Sequence, residues 1–454
     1  MKAAFLLAGL FALVHADTPA SSKVVCYYDS KSYVRESNAR MLPLDLDPAL
    51  SYCSYLVYGY AGIQPDTYKM VPLNENLDIG KSHDNYRAIV NSAHKLPNLK
   101  ALLSVGGDAD KEDELKYNTL LESPQSRTAF VNSGVLLVQQ YGFDGLDLAW
   151  QFPRIKPKKI RSTWGSLWHG VKKTFGTTPV DDKESEHREG FTALVRELRS
   201  ALNAVRPNMQ LSVTILPNVN SSVYIDVPSI INHVDYINIE SFDYYTPERN
   251  PKEADYASPT YTPQGRNNLL NTDAVVSYFL QSGAPSGKII VGISTIGRTW
   301  KLDSDSEISG VPPLHADGPG EAGPYTKIEG LLSYPEVCAK LINPNHQKGM
   351  RPHLRKFTDP SERFEKKENK ERPFTKDADL SNSFGTYAFR LPDDSGEGGL
   401  WVTYEDPDTA GKKANYVKTK KLGGVSIVDL SMDDFRGLCN GEKYPILRAA
   451  KYRL

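Results

Sequence analysis

The stretch Phe143–Pro153, with the sequence FDGLDLAWQFP, decides the fold that we expect for this chain. Apolar and acidic residues alternate along it, which is typical of a strand that ends at a site. Asp144, Asp147, Ala149 and Gln151 fall at spacings that suit a ladder of carboxylates, but Ala149 and Gln151 carry no ionisable group. Because an amide cannot act as a general acid near neutral pH, the acid–base chemistry of such a strand is not expected here.

Seven further apolar segments of strand length accompany this stretch, and helical patterns separate several of them. One helical pattern, Phe191 to Leu202, repeats its apolar residues on one face at a period of 3.6. Strands that alternate with helices favour parallel pairing, and eight such units close a barrel. The expected fold class is therefore α/β, a (β/α)₈ TIM barrel with an inserted small α+β domain. The eight predicted strands are Val24–Tyr28, Tyr55–Tyr60, Lys100–Val105, Phe143–Leu148, Gln210–Leu216, Tyr236–Ile239, Ile289–Ile293 and Val425–Leu430.

Two long stretches interrupt the alternation of strands and helices. We expect the barrel to comprise residues 17–300 and 402–454, with a basic loop insertion at 154–186 and an α+β insertion domain at 301–401. The basic loop has no Asp or Glu between residues 154 and 173, and it carries Trp164 and Trp168. Loops after barrel strands lie at the active-site face, so this loop either contacts a polyanion or a receptor, or it is a solvated insertion. We favour the solvated insertion.

The first 16 residues have the pattern of a secretory signal peptide. Lys2 precedes an apolar run from Ala3 to Val14, and Ala16 is followed by the polar Asp17. The run is shorter than the ~20 residues that span a membrane, so we expect secretion to the extracellular space and no membrane insertion. Lys plus Arg total 54 against 55 Asp plus Glu, and this balance gives no general attraction to nucleic acid.

Four cysteines indicate two disulfides in an oxidising compartment. Three pairings are open, and we favour Cys26 with Cys53 and Cys338 with Cys439, because the first two lie close in sequence near adjacent predicted strands. A metal site is less favoured, since the cysteines lack close paired spacing and no His cluster accompanies them. We expect neither a metal nor a cofactor. A sequon that begins at Asn220 predicts N-glycosylation in a loop.

The stretch FDGLDLAWQFP resembles the signature strand of the family 18 glycoside hydrolases, the chitinases, whose pattern reads approximately DGxDxDxE. The resemblance covers nearly all of the mature chain, because other segments are similar to the third, sixth, seventh and eighth strands of that family in the correct order. Those segments are Ser104–Gly107, Asn238–Asp243, Gly292–Arg298 and Gly423–Phe435. Within the family, the run AWQFP, the run from Phe242 to Pro247 and the long insertion after the fourth strand are similar to the insect imaginal disc growth factors.

The resemblance implies that the catalytic groups of the family are missing from this chain. In that family the terminal Glu of the signature protonates the glycosidic oxygen, the preceding Asp orients the acetamido group of the substrate, and a Tyr of the sixth strand supports the reacting acetamido oxygen. The matching residues here are Gln151, Ala149 and Phe242. Val428 stands where the family has a groove-floor Trp. Since proton transfer by a positioned group is worth about 10²–10⁴-fold in rate, chitin hydrolysis is not expected.

Three hypotheses on function follow. The leading one is a secreted, catalytically inactive chitinase-like growth factor that promotes cell proliferation, motility or organisation of tissue and cuticle through a cell-surface protein or receptor. The second is a lectin that binds chito-oligosaccharides, with a groove formed by Tyr27, Tyr60, Trp150, Gln151 and Asp243. The third, which we disfavour, is a glycosidase that uses Glu240. A structural interpretation stands beside them, in which the aromatic residues cap the barrel core and Asp144 and Asp147 hold loops in place.

Overall fold

The computed structural model describes residues 22–111, 113, 115–155, 181–303, 306, 310–341, 373–379, 383–392 and 398–454. The predicted signal peptide at 1–16 lies outside these residues, as does most of the predicted basic loop, from 156 to 180. Among the described residues, no helix combines the length and the apolar character needed to cross a membrane.

Eight parallel strands close into a barrel. We number them β1 to β8 in chain order: Lys23–Asp29, Tyr55–Ile63, Lys100–Gly106, Gly145–Ala149, Gln210–Ile215, Tyr236–Ile239, Ile289–Ser294 and Gly424–Val428. Each strand pairs in parallel with the next, and β8 pairs with β1 to complete the ring. The predicted (β/α)₈ barrel is confirmed, and each predicted strand overlaps an observed one.

Helices follow most of the barrel strands and cover them on the outside. The described α-helices are Asp47–Leu50, Glu75–Asp78, Asn85–His94, Leu115–Glu122, Pro124–Tyr141, Glu184–Val205, Ser221–Tyr224, Val227–Ile230, Thr272–Gln281, Tyr334–Lys340, Pro407–Thr419 and Pro445–Arg453. On the helix Glu184–Val205, the predicted apolar face from Phe191 to Leu202 is buried. The main core of the molecule therefore lies between the barrel and its helices.

The helix before β4 has clear sequence signals at both ends. Ser123 caps its amino end by accepting a hydrogen bond from the backbone N–H of Ser126, and Pro124 occupies the first turn, where it removes no helical hydrogen bond. Gly142 ends the helix with a φ of 82°, a left-handed conformation that glycine adopts without strain. The chain then enters the strand that carries the site.

A second, antiparallel sheet lies beside the barrel. Its strands are Glu253–Ala254, Ile296–Leu302, Leu314–Pro319, Leu331–Ser333, Thr375–Ala378, Thr386–Arg390 and Gly399–Tyr404. Trp300, Tyr387 and Trp401 pack together in its core. The sheet begins and ends outside the predicted limits of 301 and 401, and one edge strand comes from the segment after β6. The division of the chain into domains at those limits stays a prediction.

Both favoured cysteine pairs are disulfides in the structure. Cys26 on β1 is joined to Cys53, which precedes β2, and Cys338 is joined to Cys439. The second bond links the helix Tyr334–Lys340 to the segment that follows β8. The two disulfides thus hold β1 to the chain beside it and the second sheet to the end of the barrel.

Candidate functional site

The strand β4 points its side chains alternately into the barrel and outward to the helices. Asp147 is fully buried inside the barrel, where it meets Tyr27 of β1 and Thr214 of β5. Leu146 and Leu148 pack in the core between barrel and helices. Because successive residues of a strand face opposite sides, Ala149 follows Asp147 on the inside, towards the carboxyl end of the barrel.

Asp147 is the centre of a hydrogen-bond network inside the barrel. Its Oδ2 accepts hydrogen bonds from Ser104 Oγ at 2.7 Å and from Tyr27 OH at 3.2 Å, and its Oδ1 accepts from Ser212 Oγ at 2.7 Å and from Thr214 Oγ1 at 2.9 Å. Burial raises the pKa of Asp147, and the four hydrogen bonds act against that rise. This arrangement supports the structural interpretation of Asp147, since three other strands, β1, β3 and β5, supply its partners.

Asp144 lies at the opposite end of the barrel from the site. His94 Nε2 is 2.9 Å from its Oδ2, which also accepts from the backbone N–H of Ala101 at 3.0 Å, and Arg206 Nη2 donates to its Oδ1 at 3.2 Å. The expectation that Asp144 shares the direction of Asp147 is therefore wrong. The residue precedes β4 and, three positions before Asp147, falls on the other side of the alternation.

Ala149 and Gln151, which the sequence matches to acidic residues of the family, are both buried at the carboxyl end of β4. Ala149 is 1% exposed and Gln151 is 3% exposed. The side-chain amide of Gln151 donates a hydrogen bond to the backbone carbonyl of Gly107. Gly107 has a φ of 55° and lies against the ring of Tyr60, so no larger side chain fits there. Gln151 is thus held in place and offers no acidic proton.

Trp150 does not line a groove. It is 1% exposed, and its ring centroid lies 5.0 Å from that of Tyr117, 5.6 Å from that of Phe130 and 5.9 Å from that of Phe191. The assignment of Trp150 to the saccharide groove is therefore wrong, because the residue between Ala149 and Gln151 must face the helices. The structural interpretation, in which this aromatic residue packs in the core, describes it correctly.

The two tyrosines assigned to the groove lie at different depths. Tyr27 is 1% exposed, and its OH is 2.8 Å from Thr214 Oγ1 and accepts from Asn238 Nδ2 at 3.1 Å, so it belongs to the polar network under the site. Tyr60 is only partly buried, beside Gly107. The structure therefore brings Tyr60 and Gln151 together around Gly107. Their role in holding a saccharide stays a prediction.

Asp243, which lies shortly after the end of β6, is held by several hydrogen bonds. Asp243 has a φ of 56°, its backbone carbonyl accepts from Asn218 Nδ2 at 2.7 Å, and its carboxylate accepts from Arg298 Nε at 2.8 Å and Nη2 at 2.5 Å. Burial acts against the charge of Arg298, but Asp243 outweighs it and raises the pKa of the guanidinium. Phe242, which precedes Asp243, is 5% exposed. The carboxylate of Asp243 is therefore already occupied.

Glu240, the residue of the disfavoured glycosidase hypothesis, is also buried at this site. It lies two residues beyond Asn238, whose side chain bonds inside the barrel, and it is 7% exposed. Among the described residues, its carboxyl has no hydrogen-bond or ion-pair partner. Burial, followed by the negative charges of Asp108 and Asp147, raises its pKa well above the ordinary value. The site thus holds a carboxyl group whose charged form is disfavoured by its surroundings.

An apolar cavity of about 200 Å³ lies near the carboxyl ends of β5 and β6, against the helix Thr272–Gln281, and Glu240 is one of its lining residues. Leu216, Val219 and Tyr244 are among its lining residues. Asn220 lies at the same cavity, and its Oδ1 accepts from Ser222 Oγ at 2.7 Å. Glycosylation of Asn220 stays a prediction. The described part of the chain contains no group of three or more His, Cys, Asp or Glu residues suited to a metal ion.

The sequence matches the model of one known protein family over the whole barrel. The model of the glycosyl hydrolases family 18 matches residues 23–433. The chain belongs to this family. The match runs from the first residue of β1 to beyond β8, so it covers the whole barrel and the second sheet.

The relatives of this family 18 chain include proteins that are named for resembling chitinases. It is 70% identical to the chitinase-like protein EN03 of Bombyx mori over the full length of both chains. It is 50% identical to imaginal disk growth factor 6 of Drosophila melanogaster, which covers 95% of this chain and 93% of that one. The resemblance to the imaginal disc growth factors is therefore confirmed.

A solved structure from the same family gives a further point of comparison. Human YKL-39, described as a pseudo-chitinase with retained chitooligosaccharide binding properties, is 26% identical, with a TM-score of 0.71 and coverage of 95% of this chain and 99% of that one. The family 18 fold of our chain thus also occurs in a protein that is described as a binder of chitooligosaccharides.

Proposed function

We propose that this protein is a secreted, catalytically inactive chitinase-like growth factor that acts through a protein at the cell surface. The observation that carries the proposal is the state of Gln151, the residue that the sequence matches to the family acid, whose amide donates to the carbonyl of Gly107. Ala149 and Phe242 add a methyl group and a hydrocarbon ring where the family has polar groups. The names of the relatives, chitinase-like protein and imaginal disk growth factor, support the same proposal.

The growth-factor proposal is tested by adding the purified, full-length secreted protein to cultured insect cells in defined medium. We expect a dose-dependent rise in cell number or in migration, and the same response from Gln151→Ala, because the response does not depend on hydrolysis. Heat-unfolded protein is the control. Absence of any response to the native protein would overturn the proposal, and a response abolished by Gln151→Ala with the fold intact would tie it to the site.

The predicted basic loop at 154–186 is a candidate for contact with the partner. Its positive charge and its two tryptophans, Trp164 and Trp168, motivate this assignment. A variant without residues 156–175 is expected to keep the thermal unfolding midpoint of the parent and to lose the cell response. An unchanged response would remove the loop from the mechanism and leave the growth-factor proposal standing.

A second candidate function is binding of a saccharide without hydrolysis. The specific support is the human YKL-39 structure, whose description names retained chitooligosaccharide binding, together with the partly exposed Tyr60 beside Gln151. Calorimetry against chito-oligosaccharides of increasing length is expected to give affinities that rise with length. Absence of heat at millimolar ligand would argue against this function.

A further inference from the structure

Glu240 and Gln151 both lie just beyond the carboxyl ends of their strands, β6 and β4. Leu148 of β4 pairs with Val213 of β5, and Val213 pairs with Ile237 of β6. Gln151 is three residues beyond Leu148, and Glu240 is three residues beyond Ile237. Leu148 and Ile237 pack in the core outside the barrel, so the alternation of side chains directs both Gln151 and Glu240 towards the barrel interior.

The charged and amide donors near this layer are already used. The amide of Gln151 donates to a backbone carbonyl, Arg298 donates two hydrogen bonds to Asp243, and Arg154 Nη2 donates to Asp108 Oδ1 at 2.6 Å. The side chains of the neighbouring residues Ala149 and Phe242 cannot form hydrogen bonds. A ligand that presents only acceptors, such as the carbonyl of an acetamido group, therefore finds these amide and guanidinium donors already paired.

The carboxyl of Glu240, in contrast, has no partner among the described residues, although the residue is only 7% exposed. A buried carboxylate is costly unless it is paired. The charged groups with the largest electrostatic effect on it are Asp108, Asp147 and Asp243, which are negative, and Arg154, which is positive. The phenols of Tyr27 and Tyr60 also lie within electrostatic range. The environment thus favours a ligand that is a donor and carries positive charge.

We propose that this groove takes a glucosamine oligosaccharide, in which the sugar has a free ammonium group, and that Glu240 is the residue that selects it. The proposal rests on the second candidate function, the binding of a saccharide. The ammonium group supplies the donors and the positive charge that the carboxyl of Glu240 lacks, and the sugar rings extend along the groove past Tyr60. An N-acetylated oligosaccharide has no cation to offer and is expected to bind less tightly.

Proton linkage gives the proposal a second signature. Because burial and nearby negative charges raise the pKa of Glu240, formation of its ion pair with an ammonium group is coupled to loss of the carboxyl proton. Binding of the amino sugar should therefore release protons, and its affinity should rise with pH until the ammonium group itself deprotonates. Binding of the N-acetylated sugar should release none.

The test is calorimetry on the full-length protein with glucosamine tetrasaccharide and N-acetylglucosamine tetrasaccharide, in two buffers of different ionisation enthalpy. We expect the glucosamine form to bind at least about tenfold more tightly, and Glu240→Gln to abolish that preference. Glu321→Gln, which removes one exposed acid far from the site in sequence, is the matched charge control and should keep the preference. Comparing the two sugars on the unmodified protein requires no variant to fold.

The possible outcomes separate the two proposals. If neither sugar binds, the saccharide-binding function fails, and this inference fails with it. If both bind equally, if the N-acetylated sugar binds more tightly, or if Glu240→Gln leaves the preference unchanged, only the inference on Glu240 is overturned. Tetralysine provides a last control, because binding as tight as that of the glucosamine tetrasaccharide would mean that the site recognises charge alone and would also overturn the inference.

Discussion

Replacement of Asp243 by Asn is expected to destabilise the protein by about 3–5 kcal/mol, because it leaves the buried charge of Arg298 without its partner. The two side chains are only 14% and 11% exposed and are joined by two parallel hydrogen bonds. Asn has nearly the same shape as Asp and adopts left-handed backbone conformations readily, so the φ of 56° is retained. The substitution therefore removes a charge and adds no backbone strain.

The size of the effect follows from the burial of the pair. An exposed ion pair contributes about 0–1 kcal/mol, whereas loss of one partner from a buried pair costs several times more. The backbone carbonyl at position 243 keeps its hydrogen bond from Asn218 in the variant, so the loss is confined to the charge. Changing Arg298 to Gln in the Asp243→Asn background should recover part of the lost stability, since no unpaired charge then remains.

Equilibrium unfolding in urea, followed by tryptophan fluorescence, measures the effect. The matched control is Asp317→Asn, which breaks the exposed pair with Lys252 and is expected to leave the unfolding midpoint nearly unchanged. If Asp243→Asn lowered the midpoint no more than this control, the pair would not be a stabilising element. Asp243 would then be free to act on a ligand, as the sequence-based groove assignment holds.

Two further predictions concern stability. The disulfides Cys338–Cys439 and Cys26–Cys53 span 101 and 27 residues. By loop-closure entropy, replacing each pair by Ala should therefore lower the free energy of unfolding by about 4.7 and about 3.6 kcal/mol, respectively. A larger fall in the thermal unfolding midpoint for the Cys26–Cys53 replacement would contradict this order. Burial raises the pKa of Asp433 to about 7, against the hydrogen bonds that it accepts from the amino end of the helix Pro445–Arg453. The folded protein then holds this proton more tightly than the unfolded chain. The stability of the wild type relative to Asp433→Asn should therefore fall as the pH rises from about 4 to about 7. A relative stability that rises over that interval, measured by urea unfolding, would refute the prediction.

The barrel was predictable because its eight strands are apolar segments at regular intervals, each long enough to show a pattern. The second sheet was less predictable at its edges. Ile296–Leu302 follows β7 after a single residue, so the two strands read as one segment, and Glu253–Ala254 is too short to show any alternation. Sequence periodicity thus located the barrel and left the limits of the second sheet undefined.

The candidate site was predictable in its chemistry more than in its geometry. The amide at Gln151 is visible in the sequence, but the placement of Trp150 and Asp144 required strict alternation from Asp147, which the spacing alone did not impose. The lack of a hydrogen-bond partner for Glu240 could not be predicted, because it depends on which acceptors the donors of other strands bind. Pairwise contacts between distant segments are set by the fold and leave little trace in one sequence.

Turnover of a fluorogenic chitotrioside tests the inactivity of this chain most directly, with the wild type and Gln151→Glu measured beside an active family 18 chitinase. We expect no turnover from either protein. In the variant, the new carboxyl would lie against the carbonyl of Gly107, and Ala149 and Phe242 would still lack the groups that support the transition state. Turnover by the wild type would contradict the proposal that the protein is inactive, and robust turnover by Gln151→Glu would show that the other two positions matter less than we infer.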